Sequence, residues 1–134
     1  ISGMVGSHLA DYLLNQTDWV IHGMCRWRSP QDNVEHLFPR VNAGDRVFFH
    51  YGDLRDYISI QNVVNDVMPD YVFHLAAQSL VKKSYSDPTY TWETNTIGTL
   101  NVLESLREIK KNCVAKTVLP MSTVEKPAVL AVTD

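Results

Sequence analysis

With 134 residues, 45% of them hydrophobic and 20% charged, the chain has the length and composition of one globular domain with a real core, spanning residues 1–134. A net charge of −3 with both signs interspersed argues against nucleic acid or an anionic membrane surface as partner. No apolar run has transmembrane length and no basic-apolar signal segment opens the chain, so a cytoplasmic protein is expected.

The chain opens on Ile1-Ser2-Gly3-Met4-Val5-Gly6-Ser7-His8-Leu9, where two glycines three apart run into an amphipathic helix. This is the back half of a dinucleotide-binding fingerprint, in which Gly3 lets backbone approach a pyrophosphate and Gly6 lets the helix pack closely on a sheet. On its own the pattern also fits an ordinary tight packing contact, and no strand stands ahead of it. Leu9, Leu13 and Leu14 give the helix its apolar stripe. Trp19 to Cys25 reads as a strand, with Arg26-Trp27-Arg28-Ser29-Pro30 as the loop beyond its carboxyl end. Residues 31–42 form a weak helix with Val34, Leu37 and Phe38 on its apolar side. Arg46 to Tyr51 is the next strand, followed by the turn Gly52-Asp53-Leu54-Arg55. Asp56 caps a helix whose Ile60, Val63, Val64 and Val67 fall at helical spacing, and Pro69-Asp70 closes it.

Tyr71 to Leu75 is a strand flowing into Ala76-Ala77-Gln78-Ser79, small residues that let backbone lie against a ligand; His74 reads as a core histidine. A longer loop leads to Asp87-Pro88, the cap and first-turn proline of a helix reaching about Lys110. Val102, Leu103, Leu106 and Ile109 form its stripe, and Lys110 and Lys111 suit its dipole. Inside it, Asn95-Thr96-Ile97-Gly98-Thr99 are poor helix formers; the glycine points to close packing, the asparagine to a held water or a backbone bulge. Val114 to Leu119 is a further short strand, and Ala128 to Thr133 reads as a buried one. Cys25 and Cys113 lack metal-ligand spacing and read as core thiols in a reducing compartment; no metal site is expected.

Strands separated by helices imply an α/β fold, a Rossmann-type doubly wound parallel sheet covered on both faces. Placed ahead of Ile1, the tail gives AVLAVTD-ISGMVGSHLADYLL: strand, turn, glycine pair, helix. About five strands in the order 3-2-1-4-5 are then expected, with residues 128–133 supplying the first. On this preferred reading Met121 opens a lead-in, and 121–134 belongs structurally before Ile1. Either the chain is circularly permuted or the order of segments is not the covalent one. Ligands of such sheets bind at the carboxyl ends of the strands. Arg26 and Arg28 lie at one such end, where two guanidinium groups suit a ribose 2′-phosphate and favour NADP over NAD; position alone fits a solvated surface pair as well.

Taken together, GMVGSHLADYLL, GDLRD, HLAAQS and NTIGTLNVLES resemble the extended short-chain dehydrogenase/reductases. Among these, they are most similar to the nucleotide-sugar epimerases and dehydratases of the GDP-mannose 4,6-dehydratase-like group, over nearly all of residues 1–110. The resemblance implies a tightly held nicotinamide cofactor and a nucleotide-sugar substrate oxidised at C4. Carried over by position, the cofactor-binding residues are Gly3, Met4, Val5, Gly6, Arg26, Arg28, Asp53, Leu54, Leu75, Ala76, Ala77, Ser79 and Tyr90, with Asp134 at the place of the first glycine. The family also carries a Ser-Thr-x-Glu turn after its fifth strand. Ser122-Thr123-Val124-Glu125 matches it, which is the rival reading of the tail, although Pro120 and Lys126-Pro127 fit it poorly.

Catalysis in the resembled family needs a tyrosine with a lysine four residues on, the lysine lowering the tyrosine's pKa. None of Tyr12, Tyr51, Tyr57, Tyr71, Tyr85 and Tyr90 has one, and the substrate lobe is absent. The expected function is an NADP(H)-binding module, with NAD as second choice, resembling the first half of such an enzyme and without turnover of its own. Two alternatives stay open. One is a structural or interaction domain that lost the ligand, since the Asp134 carboxylate would repel a pyrophosphate. The other is an active dehydratase using Thr123 and Glu125. A homo-oligomer is expected, because the helix near 88–110 lacks the partner helix with which the family covers it.

Overall fold

A computed structural model of the protein describes residues 1–109, 116–117 and 129–133. The chain runs α1 (Met4–Gln16), β1 (Ile21–Cys25), a 3-10 turn (Asp32–Leu37), α2 (Phe38–Ala43), β2 (Val47–Tyr51), α3 (Tyr57–Val67) and β3 (Tyr71–Leu75). It continues through α4 (Val81–Ser86), α5 (Pro88–Trp92), a π-helical turn (Glu93–Ile97), α6 (Gly98–Ile109), β4 (Lys116–Thr117) and β5 (Val129–Thr133). The fold is α/β with a parallel sheet of Rossmann type.

The strand order is β2-β1-β5-β3-β4, and every pair is parallel. Ile21 pairs with both Val47 and Val129, and Val129 also pairs with Tyr71, so β5 lies between β1 and β3. All strands therefore present their carboxyl ends at one edge of the sheet, which is where a ligand of such a sheet is held.

Alternation along the strands sends side chains to two cores. Ile21, Cys25 and Val47 join Ala10, Leu13 and Leu14 of α1 with Val34 and Leu37 of the 3-10 turn. Met24 and Val72 face the opposite way, towards Ile60, Val63 and Val64 of α3 and Val102, Leu106 and Ile109 of α6. Burial of the Cys25 thiol raises its pKa and keeps it neutral. Wholly buried Ile1 lies across Gly23, where an added Cβ would come within 2.4 Å of the isoleucine side chain. Its nitrogen donates to Met24 O at 2.9 Å, which seats the glycine turn at the carboxyl edge.

Both caps form. Asp56 accepts from Ile58 N and Ser59 N, and Asp87 accepts from Tyr90 N ahead of a helix with Pro88 in its first turn. Met68, at φ +47°, ends α3 just before Pro69-Asp70.

Four local expectations are corrected. The helix expected at 31–42 is a 3-10 turn followed by a short α-helix. The loop expected before Asp87 contains α4. The long helix from Pro88 is not one regular α-helix, since a π turn interrupts it at Glu93–Ile97, the backbone bulge expected at the asparagine. Leu103, expected in the apolar stripe, is 49% exposed, and Ser105 takes the buried place with its hydroxyl donating to Asn101 O. Residues 110–115, 118–128 and 134 lie outside the described residues, so the expectations for Cys113, Thr123, Glu125 and the position of Asp134 are not addressed by this structure. Among the described residues, no helix is long and apolar enough to cross a membrane, and no group of three or more His, Cys, Asp or Glu could hold a metal ion.

Candidate functional site

The first wall of the site is the amino end of α1. Gly3 is its N-cap in extended conformation, with no side-chain cap and no acidic residue in the first turn. Ser7 N bonds back to Gly3 O at 2.9 Å, so the helix begins directly at the glycine turn. Met4 and Val5 are exposed and Gly6 is buried. The first-turn N–H groups of a 13-residue helix therefore lie at the carboxyl edge of the sheet, a position that favours negative charge. Asn33 holds the turn from outside, donating to Ser2 O at 3.0 Å.

At the carboxyl ends of β1 and β2 lies an open cleft of about 590 Å³. Arg26, Trp27 and Arg28 border it from the end of β1, and Tyr51, Gly52, Asp53, Arg55, Asp56 and Ser59 from the end of β2. Lys83 of α4 and Tyr90 of α5 close the far side. Arg26 Nη1 donates to the Tyr90 hydroxyl at 2.7 Å. The Asp53 carboxylate accepts from Arg55 Nε, Nη2 and backbone N at 2.9, 2.7 and 3.0 Å. This fork-to-fork pairing lowers the Asp53 pKa, so the carboxylate stays ionised and its charge is met by Arg55. The Arg55 guanidinium lies 5.0 Å from the Tyr90 ring centre and Lys83 Nζ lies 4.2 Å from it; Arg28 rests on Trp27 at 5.1 Å. Four cationic side chains against two carboxylates make this a positive cleft on a chain of net charge −3, suited to an anionic ligand.

Leu54 behaves differently from its neighbour Asp53. Its side chain is 6% exposed in the core, and its carbonyl accepts from Asn101 Nδ2 at 2.8 Å. Gly98 makes that packing feasible, since a Cβ there would sit 2.8 Å from Leu54 Cβ.

The third wall follows β3. Leu75, Ala77 and Ser79 are exposed along the edge, while Ala76 and Gln78 turn inward. Gln78 N donates to Asn95 Oδ1 at 2.7 Å, and Asn95 Nδ2 donates to Gln78 O at 3.0 Å. The Gln78 side chain then bonds Thr91 Oγ1, Leu80 O and Leu80 N. Asn95 and Gln78 thus clamp the post-β3 segment to the π turn. His74 meets Thr99 Oγ1 at 2.9 Å through Nε2, and burial lowers its pKa, which suits a neutral structural ring.

The structure brings Gly3–Gly6, Arg26, Arg28, Asp53, Leu75–Ser79 and Tyr90 to one edge of one sheet. Sequence reasoning passed over Arg55, Lys83, Trp27, Tyr51 and Ser59 as cleft walls and Gln78 as the clamp. Arg55 was the most accessible of these, standing directly after Asp53-Leu54.

The family model described as GDP-mannose 4,6 dehydratase matches residues 1–125. A GDP-mannose 4,6 dehydratase of Drosophila melanogaster is 40% identical over 111 residues, covering 80% of this chain and 28% of the relative. Among solved structures, a Thermus thermophilus UDP-glucose 4-epimerase in complex with NAD superposes with a TM-score of 0.67 at 30% identity, over 81% of this chain and 32% of that one. A Thermotoga maritima UDP-glucose 4-epimerase with UDP-glucose gives 0.65 at 29% identity, over 83% and 32%. The chain therefore spans about a third or less of the length of these relatives. The family match reaches residue 125 and so takes in Ser122-Thr123-Val124-Glu125, the segment of the rival reading. Motifs, fold and match agree: the chain belongs to the GDP-mannose 4,6 dehydratase family, within the nucleotide-sugar epimerases and dehydratases of the short-chain dehydrogenase/reductase class.

Proposed function

We propose that residues 1–134 form the NADP(H)-binding part of a nucleotide-sugar dehydratase or epimerase. The observation that carries this reading is the cation-rich cleft at the carboxyl ends of β1 and β2, on the sheet edge where α1 begins without a side-chain cap. The donor set fits the cofactor. Gly3, Met4, Val5 and Gly6 would hold the pyrophosphate on helix N–H groups, and Arg26 and Arg28 would meet a 2′-phosphate. Asp53, and Leu54 through its backbone, would border the adenine side. Leu75, Ala76, Ala77 and Ser79 would run along the rest of the cofactor, with Tyr90 across the cleft. The cofactor would supply hydride transfer at the sugar; the residues named here bind and orient it. NAD and UDP-glucose in the two epimerase structures support a dinucleotide and a nucleotide sugar as ligands of this chain. We further propose that residues 129–133 occupy the first-strand place of a 3-2-1-4-5 order.

Titrating NADPH and NADH against the chain by fluorescence tests the cofactor reading. NADPH should bind more tightly, and Arg26→Ala with Arg28→Ala should remove the preference, each lost charge-assisted contact costing about tenfold. A preference that survives the double change would show the assignment to be wrong.

A second reading, turnover by the chain itself through Thr123 and Glu125, is favoured by the family match reaching residue 125. It predicts GDP-mannose consumption by the wild-type chain that Glu125→Gln abolishes; no consumption sets it aside. We also infer self-association. Trp92, Leu100 and Leu103 are 65%, 56% and 49% exposed on the 88–109 helical run, apolar surface that association would bury.

A further inference from the structure

We propose that Lys83 is a specificity-determining residue of the cleft, a further cation that pairs with the ribose 2′-phosphate alongside Arg26 and Arg28. This rests on the NADP(H) reading of the same site.

The cations of the cleft differ in how far they are already committed. Arg55 has its charge met by Asp53 through two side-chain hydrogen bonds. Arg28 lies on exposed Trp27. Arg26 is half-buried and fixed on the Tyr90 hydroxyl. Lys83 borders the same space, and its ammonium has no carboxylate partner among the described residues. Beside Arg55, whose charge Asp53 already meets, Lys83 gains more from a phosphate.

Position supports the same assignment. Lys83 Nζ sits over the Tyr90 ring at 4.2 Å, a contact that orients the ammonium and leaves its N–H donors for an oxygen ligand. The backbone between the two residues is locked. Asp87 N donates to Lys83 O at 2.8 Å, and the Asp87 side chain accepts from Tyr90 N at 3.0 Å. One ring thus holds Lys83 on its face and Arg26 at its hydroxyl. Part of the rotamer entropy that a flexible lysine normally loses on binding is already lost here. A phosphate monoester would meet a planar guanidinium from β1 and a point charge from α4, two elements that approach it from different sides.

The test is NADPH and NADH binding to the 134-residue chain, with 2′,5′-ADP and 5′-AMP as probes of the adenine half alone. Lys83→Met keeps the stem and removes the charge. It should weaken NADPH and 2′,5′-ADP by about tenfold and leave NADH and 5′-AMP within about twofold. Lys83→Arg should restore most of the loss, and Lys82→Met, outside the cleft, should change nothing. The NADPH preference of the wild type should also shrink as salt rises, and less so in Lys83→Met. Equal weakening of both dinucleotides, or no weakening of either, would overturn the role of Lys83 while leaving the cofactor reading intact. Failure of the wild type to bind any of the four would overturn both.

Discussion

The helical run from Pro88 to Ile109 contains two regions built on opposite rules. Its second half, α6, buries Gly98, Val102, Ser105, Leu106 and Ile109, a spacing that keeps one face against the core shared with α3. Its first half buries only Thr94 in the π turn and nothing in α5. That half directs polar groups at its neighbours instead: Tyr90 at Arg26, Thr91 and Asn95 at Gln78. The chemistry of the residues explains the split. Glu93-Thr94-Asn95-Thr96-Ile97 holds β-branched and amide side chains that lose little by leaving a regular helix, whereas Leu100 to Ile109 is rich in good helix formers. The π turn inserts an extra residue where Asn95 must reach the end of β3, and such turns gather at functional sites. Regular spacing marks the region that stabilises this fold, and the breach of it marks the region that shapes the site.

The contrast within α6 can be sharpened by truncating two leucines of one helix. Leu106 is 4% exposed and Leu103 is 49% exposed. Leu106→Ala should lose about 3 kcal/mol, the transfer term plus an unfilled cavity beneath α3. Leu103→Ala should lose at most about 0.5 kcal/mol from the folded chain, because it removes atoms already in contact with water. Urea unfolding at micromolar concentration compares them. If the outer face mediates self-association, Leu103→Ala should instead lower the mass seen by light scattering. Equal losses of stability would mean that the two faces of α6 do not differ as described, and a wild-type chain that scatters as a monomer would remove the association.

Much of this was legible beforehand, and the failures have physical causes. Asp56 and Asp87 were readable as caps because an acceptor before a helical stretch has a local role. Asn95 and Gly98 stood out as residues a plain helix would not choose, and the π turn and the close contact with Leu54 lie there. The short helix α4 escaped notice because none of its residues is buried, so no apolar stripe announces it. Leu103 was misplaced because it adjoins Val102 in sequence, although one residue along a helix turns the side chain by about 100°. The cleft was the least legible part. Arg26 reaches Tyr90 across 64 positions, and Lys83 reaches the same ring only because the Asp87 cap folds the chain between them. Contacts of this kind depend on tertiary placement, to which no local spacing corresponds.

A smaller effect is expected in the polar half, from Asn95→Ala. The asparagine makes two hydrogen bonds to the backbone of Gln78, accepting from its N–H and donating to its C=O, in a part-buried place. Removing the side chain leaves that N–H and C=O short of partners, at about 2 kcal/mol for the pair where water cannot fully replace them. Asn95→Asp separates the two bonds. It keeps the acceptor for Gln78 N but sets a carboxylate against Gln78 O, so it should recover at most half of the loss. The location of the damage also distinguishes the two halves of the helical run. Ala76, Ala77 and Ser79 should move with Gln78, so amide exchange at 76–80 should quicken before that of α6 does. If exchange instead rises uniformly through α6, Asn95 supports the core as a whole, and the division of this helix into a packing half and a site-shaping half is wrong.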